Sequence, residues 1–507
     1  MTEKMSIGIE GLDEVLCGGL LRGRSYLVKG VAGSGKTTLG LQFLLAGAER
    51  WGEAGLLFTF EEKADKLQED AASLGLDLRE AERRGEVMVV ATSPSAIGDL
   101  LSNPGGRIGK FLAEHAAHRA VVDSLTAFTA LAAEPTELRA RVNQFLAGLD
   151  REGLTPLLIV EESGQVSASM FEYQVDGVID LAFVSHGGRR RRRTIEVLKA
   201  RGQPFLAGKH AVELGAGGIR VYPLAQPRGG SATQRARERA CTGIAGLDQM
   251  LGGGLLAGST CLVAGSSGTG KTTLALSFLA QGGKSGEPGM MVSLQESAAD
   301  LVDEAGAIGL GAGFQKGLVQ VLYRSPIDLC PEELAYAAKQ VVSRDGIRRV
   351  AIDSLSDLIA AATDEDLLRD TLYDLVDAFA RAGVTAMFTH EIGEMFGPVS
   401  VTQERLSGLM HATIFLRFVE MDGRIRRAVS VLKMRGSAHD TSIQEIRTTG
   451  QGLVVEKRFE GREGLMRGAA QRSGGSDEKR LEEIYDHVSR RQEALQRLKS
   501  AHRRTPE

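Results

Sequence analysis

One eight-residue pattern constrains this chain more than any other, because it occurs twice. Gly30-Val31-Ala32-Gly33-Ser34-Gly35-Lys36-Thr37 follows the apolar run Ser25-Tyr26-Leu27-Val28 and leads into Leu39-Gly40-Leu41-Gln42-Phe43-Leu44-Leu45. Strand, glycine loop and helix in that order are the setting of a phosphate-binding loop. Glycines let successive N–H groups curl around phosphate oxygens, and the following helix aims its positive end at the same anion. Lys36 is placed to reach the β- and γ-phosphates, and the hydroxyl of Thr37, with Thr38 next to it, to hold Mg2+. The loop returns as Gly265-Ser266-Ser267-Gly268-Thr269-Gly270-Lys271-Thr272, followed by Thr273. Two independent accidents of this kind are not credible, so two nucleoside triphosphate sites are implied.

The offset between the loops, 235 residues from Lys36 to Lys271, holds elsewhere. Gly8-Ile9-Glu10-Gly11-Leu12-Asp13 reappears as Gly243-Ile244-Ala245-Gly246-Leu247-Asp248, and Val197-Leu198-Lys199-Ala200-Arg201-Gly202 as Val431-Leu432-Lys433-Met434-Arg435-Gly436. A period the size of a domain is a tandem duplication rather than a solenoid. The expected organisation is a first domain over 1–222, a linker over 223–240, a second domain over 241–459 and a polar tail over 460–507. Within each copy, short apolar runs alternate with helical segments, the rhythm of an α/β fold with a mostly parallel sheet covered by helices. In the first copy the strands include 55–60, 87–91, 120–123 and 157–160, and the helices 63–74 and 137–149.

Composition narrows the class. An apolar content of 43% is globular, and a net charge of −4 argues against a nucleic-acid coat. Cys17, Cys241, Cys261 and Cys330 form no CxxC pair, which suits small core residues in a reducing cytosol. Neither a signal peptide nor a membrane-spanning run is legible, so a cytoplasmic location is expected.

Ligands on parallel sheets sit at the carboxyl ends of the strands, and the chain places acids there. Ala120-Val121-Val122-Asp123 and Val350-Ala351-Ile352-Asp353 each end in an aspartate placed to hold Mg2+ or its water shell. Phe58-Thr59-Phe60 runs into Glu61-Glu62, two carboxylates able to orient or deprotonate a water at the γ-phosphate. In the second copy the pair is Gln295-Glu296; an amide positions a nucleophile but takes no proton. The two copies are therefore expected to differ in chemistry. Lys199 with Arg201, and Lys433 with Arg435, share a strand face by alternation and are candidates to reach a neighbouring subunit's γ-phosphate. The arginine run 189–193 follows Gly187-Gly188 and is read as a basic hairpin edge rather than a DNA contact. In the tail, Leu481, Ile484, Val488, Leu495 and Leu498 fall on heptad positions, a possible seam between subunits or whole rings.

With both loops, both strand-end aspartates, Phe60-Glu61-Glu62-Lys63, Arg190-Arg191-Arg192-Arg193-Thr194 and Lys433-Met434-Arg435-Gly436-Ser437 in view, the chain resembles the KaiC family of two-domain RecA-like ATPases. The resemblance covers about residues 5 to 459. It implies ATP and Mg2+ as cofactors and a homohexameric double ring. It also implies an ATPase first domain and a second domain that is a serine/threonine autokinase, used as a timer or signalling switch. On this chain it makes Lys36, Thr37, Asp123, Glu61 and Glu62 the first site, with Lys199 and Arg201 in trans. Lys271, Thr272, Asp353 and Glu296 form the second, with Lys433 and Arg435 in trans. Two departures stand out: Gln295 occupies the position of the family's second-domain general base, and the family's phosphorylated Ser-Thr pair falls on Ser407-Gly408, so Ser407 alone is a candidate phosphosite. The different tail removes any basis for assuming the same regulatory proteins. The alternatives are a nucleotide-gated scaffold with an inactive kinase domain and a RecA/DnaB-like DNA-dependent ATPase.

Overall fold

A computed structural model describes residues 3–101, 103, 105–131, 134–162, 168–186, 190–224, 238–327, 329–362, 365–392, 408–421, 424–459, 462–463 and 471–472. Ser407, residues 225–237 of the expected linker and the five heptad positions lie outside the described residues.

The first sheet is built from β1 (Tyr26–Gly30), β2 (Ala54–Thr59), β3 (Val87–Ala91), β4 (Ala117–Asp123), β5 (Thr155–Glu161), β6 (Gly177–His186), β7 (Arg190–Ala200), β8 (His210–Gly215) and β9 (Gly218–Tyr222). Across the sheet the order is β9-β8-β7-β6-β1-β5-β4-β2-β3. Neighbours from β6 to β3 run parallel, and β6 to β9 form an antiparallel meander. The second sheet uses β10 (Thr260–Gly265), β11 (Gly289–Ser293), β12 (Val319–Tyr323), β13 (Arg349–Asp353), β14 (Thr385–Glu391), β15 (Ala412–Met421), β16 (Arg424–Met434), β17 (Gln444–Thr449) and β18 (Gly452–Arg458). Its order, β18-β17-β16-β15-β10-β14-β13-β11-β12, is that of the first sheet strand for strand. The fold is thus two tandem RecA-like α/β units, as the duplicated sequence implies.

Alternation along the strands explains the layers. In β1, β2 and β4, Leu27, Leu56, Phe58 and Val122 join one apolar cluster, while Val28, Leu57 and Val121 join another. Side chains on opposite faces need a cover on each, which is why these strands read as continuous apolar runs. Helix Lys36–Trp51 covers one face through Leu39, Phe43 and Leu44. Helix Pro135–Arg151 covers the other through Leu138, Val142, Phe145 and Leu149, an i, i+4, i+7, i+11 stripe begun by a proline in the first turn. In the second sheet, helix Lys271–Lys284 packs Leu274, Phe278 and Leu279 in the same way.

The described residues form two compact units, one within Met1–Ser231, Ile327–Gln340 and Ile359–Ala378, the other within Ala232–Pro326, Val341–Leu358 and Phe379–Glu507. All strands of each sheet lie in one unit. One expectation needs correction. The arginine run does begin the second arm of a hairpin, since β6 pairs antiparallel with β7, but β7 is not an edge. His210–Gly215 pairs with it on the far side, because residues after Gly202 supply two further strands that the basic run drew attention away from.

Candidate functional site

Both glycine loops lie between the central strand of a sheet and the helix that covers it. Gly35 and Gly270 stand immediately before their helices with φ of 108° and 101°, a region that side chains with a Cβ rarely adopt, so glycine is required there. The ammonium group of Lys36 donates to the Val31 carbonyl at 2.8 Å, and that of Lys271 to the matching Ser266 carbonyl at 2.9 Å. Burial holds both lysines below their ordinary pKa, nearby carboxylates opposing it. The first residue of each helical hydroxyl pair meets the strand-end acid: Thr37 Oγ1 donates to Asp123 at 2.7 Å, and Thr272 Oγ1 to Asp353 at 2.6 Å. Burial raises the Asp123 carboxyl above its usual range, with the Thr37 hydrogen bond working against it. In the second unit Thr389 also donates to Asp353.

These residues fit Mg-ATP. A hydroxyl and a carboxylate are oxygen donors suited to a hard cation that keeps water and phosphate oxygens as its other ligands. Among the described residues no group of three or more His, Cys, Asp or Glu could hold a metal alone, so phosphate oxygens are needed to complete the shell. In the second unit the loop opens into a cavity of about 430 Å³ lined by Lys271, Thr272, Gln295, Glu296, Glu304 and Asp353, among others. That volume lies within the range of small-ligand sites, roughly 300–1,000 Å³.

Beside each loop the acids at the end of the adjacent strand behave differently. Glu61 and Glu62 are exposed, and Glu62 pairs with Lys66 one helical turn on, at 3.2 Å. A threonine or serine fixes the turn in both copies: Thr59 Oγ1 donates to the Glu62 carbonyl at 2.9 Å and Ser293 Oγ to that of Glu296 at 2.6 Å. Glu296 is pushed up to about 7, by burial first and by the carboxyl of Glu304 second. Gln295 is held by Asp357, which accepts from its Nε2 at 3.0 and 3.2 Å.

The paired basic residues lie at the opposite end of the meander. In both copies the register slips at one leucine: Val178 faces Lys199 while Ile179 faces Val197, and Thr413 faces Lys433 while Ile414 faces Val431. Leu198 and Leu432 are the extra residues of two bulges, a device that re-aims neighbouring side chains. Strand alternation does not govern the arginines, because β7 ends at Ala200 and β16 at Met434, leaving Arg201 and Arg435 beyond them. Within the chain, Lys199 Nζ donates to the carbonyls of Glu172 and Val175 at 2.8 and 2.6 Å.

The family model described as "ATPase: KaiC" matches residues 5–226 and again 240–460. The chain belongs to the KaiC family. It is 32% identical over 496 residues to the circadian clock oscillator protein KaiC of Picosynechococcus, covering 95% of each chain. It is 31% identical over 500 residues to that of Parasynechococcus marenigrum, covering 96% of this chain and 97% of the other. It is 32% identical over 495 residues to the circadian clock oscillator protein KaiC 1 of Synechocystis, covering 95% of this chain and 94% of the other.

Several residues of this KaiC-family chain escaped the sequence reading. Arg193 stacks over Phe183 at 4.6 Å and donates to the Gly33 carbonyl of the first loop at 3.2 Å. Arg427, at the matching position, stacks over Phe418 at 6.0 Å, bonds Thr448 and lines the second cavity. The 234- and 235-residue steps that align these pairs were legible; what hid them was the run of arginines, which offered no reason to single out one. Glu304 and Asp357 lie 8 and 62 residues from the acids they touch, and no motif links them. No helix of the described residues is long and apolar enough to cross a membrane.

Proposed function

We propose that the first repeat hydrolyses ATP and that the second transfers the γ-phosphoryl group to a serine hydroxyl, with Ser407 as the acceptor. The chain then acts as an ATP-driven timer or signalling switch in a cytoplasmic homohexamer. The observation that carries the reading is the loop lysine and the Thr–Asp pair, present with the same bonds in both repeats. The N–H groups from Gly33 to Thr38 and from Gly268 to Thr273 bind the phosphates. Lys36 and Lys271 leave their carbonyl partners for the β- and γ-oxygens. Thr37 with Asp123, and Thr272 with Asp353, hold Mg2+, which when bound neutralises the phosphates and fixes their direction. Glu61 and Glu62 orient the attacking water and take its proton; in the second repeat Gln295 orients and Glu296 takes the proton. Lys199 with Arg201, and Lys433 with Arg435, reach the γ-phosphate of a neighbouring subunit. The tail helix joins rings, and regulatory proteins read their state. The relatives' names as clock oscillators support the timer role.

A second reading is a nucleotide-gated scaffold whose second repeat holds ATP without turnover. Gln295 in place of a carboxylate favours it. Intact mass of the purified protein after incubation with Mg-ATP separates the two. The proposed function expects one added phosphate that Ser407→Ala abolishes, with ADP release continuing. ADP release with no mass shift in the unaltered chain selects the scaffold.

A further inference from the structure

The second repeat differs from the first at the place where a nucleophile would be oriented, and the difference is compensated within the same unit. The 234-residue step that carries Glu61 onto Gln295 replaces a carboxylate by an amide. The 230-residue step that carries Asp123 onto Asp353 places Asp357 where the first repeat has Ala127. One position loses a carboxylate and a neighbouring one gains it. The two side chains meet: Gln295 Nε2 donates to both oxygens of Asp357, at 3.2 and 3.0 Å. Asp357 is itself fixed by Ser354 Oγ, which donates to it at 2.5 Å. Ser354 follows the strand-end acid Asp353 directly, and both line the cavity with Gln295.

We infer that Asp357 is a positioning residue for the second nucleotide site, turning the Gln295 amide so that its oxygen faces the attacking hydroxyl or water. The chemistry of the pair fixes the direction. An ionised carboxylate only accepts, so the end of the amide that faces it is the nitrogen. The oxygen Oε1 is left for the cavity as an acceptor. Without Asp357 the amide rotates freely, and half its orientations point N–H groups at a nucleophile that must itself donate. A glutamate at this position, as in the first repeat, has two equivalent oxygens and needs no such partner. Ala127 opposite Glu61 fits that requirement. Orientation is all the pair supplies, since an amide takes no proton.

The inference rests on the proposal that the second site turns over ATP, and the test separates the two. In the full chain with Glu61→Gln and Glu62→Gln silencing the first site, ADP release under Mg-ATP reports the second. Asp357→Ala is expected to lower kcat about tenfold or more with KM for ATP unchanged, an effect of misplacement rather than of binding. Asp357→Asn, which keeps an acceptor oxygen for the amide, restores most of the rate. In a Gln295→Glu background the sign reverses: Asp357→Ala relieves two facing carboxylates and raises kcat. A merely structural role for Asp357 would lower the rate in both backgrounds and overturns the inference, as does an unchanged kcat in the first. No ADP release with Asp357 intact overturns the proposed turnover along with it.

Discussion

At the residue scale, the chemistry of the two sites separates on a few side chains whose neighbours the sequence does not announce. Glu296 is the clearest. Its carboxyl is pushed up to about 7 by burial and by Glu304, against a model value of 4.5. Between these two values the folded protein binds more protons than the unfolded chain, so stability falls as pH rises through that window. In the nucleotide-free protein, thermal midpoints of the second unit should therefore decline between about pH 5 and pH 8 beyond any change in a Glu296→Gln variant. Equal slopes in the two proteins would rule this out. Lys36, Thr37, Asp123 and their counterparts were legible because a loop, a lysine and a strand-end acid are close in pattern. Glu304, Asp357 and Arg427 were not, because the helix or strand that brings each of them in is set by packing. A side chain that meets its partner across 62 residues leaves no local signature.

The elements tell a similar story through two buried arginines. Arg119 of β4 lies 2.7 Å from Glu53, donates to the Phe43 carbonyl at 2.9 Å and stacks over Phe43 and Trp51. Arg349 of β13 repeats the arrangement with Glu287, the Phe278 carbonyl and the Phe278 ring. Each lies under a helical glycine: a Cβ at Gly47 would stand 2.4 Å from Arg119 Cδ, and one at Gly282 would stand 2.5 Å from Arg349 Cδ. The glycine is thus what lets the helix approach the strand. Arg119→Met should cost about 3 kcal/mol, the low end for a broken buried pair, because Arg22 still binds Glu53. Arg349→Met should cost less, since Glu287 is 41% exposed and returns to water whereas Glu53 is 9% exposed. Urea denaturation of the two variants decides it; equal losses would count against the role given to burial. At this scale the strands and the helix behind each loop followed from apolar runs. The expected 63–74 helix became Ala64–Ser73 and 137–149 became Pro135–Arg151, shifts confined to the ends. The bulges at Leu198 and Leu432 had no such signal, because a bulge is set by the partner strand's register.

For the whole molecule, the duplication makes each repeat a control for the other. Nine strands recur in one order, so differences between the sites are differences of side chains and not of frame. Lys36→Ala should lower total ADP release at least about a hundredfold if the first repeat supplies the turnover, while leaving phosphate incorporation at Ser407 in place. Lys271→Ala should do the reverse. A single substitution that abolishes both readouts would show that the repeats work as one site. The outline of two α/β repeats was open to reading because a period of 235 residues survives in glycines, aspartates and basic pairs.

The Gln295–Asp357 contact has a consequence for inhibitors. The two phosphate loops offer the same backbone, the same lysine and the same threonine, so a compound built on phosphate mimicry alone will fill both pockets together. Beyond the γ-position the pockets diverge, one presenting an exposed acidic pair and the other an amide already committed to a carboxylate. A molecule that extends a hydrogen-bond donor towards the amide oxygen, with no cation to salt-bridge Glu61, would discriminate between them. The chain would then yield one half of its chemistry to a small molecule while the other half ran on.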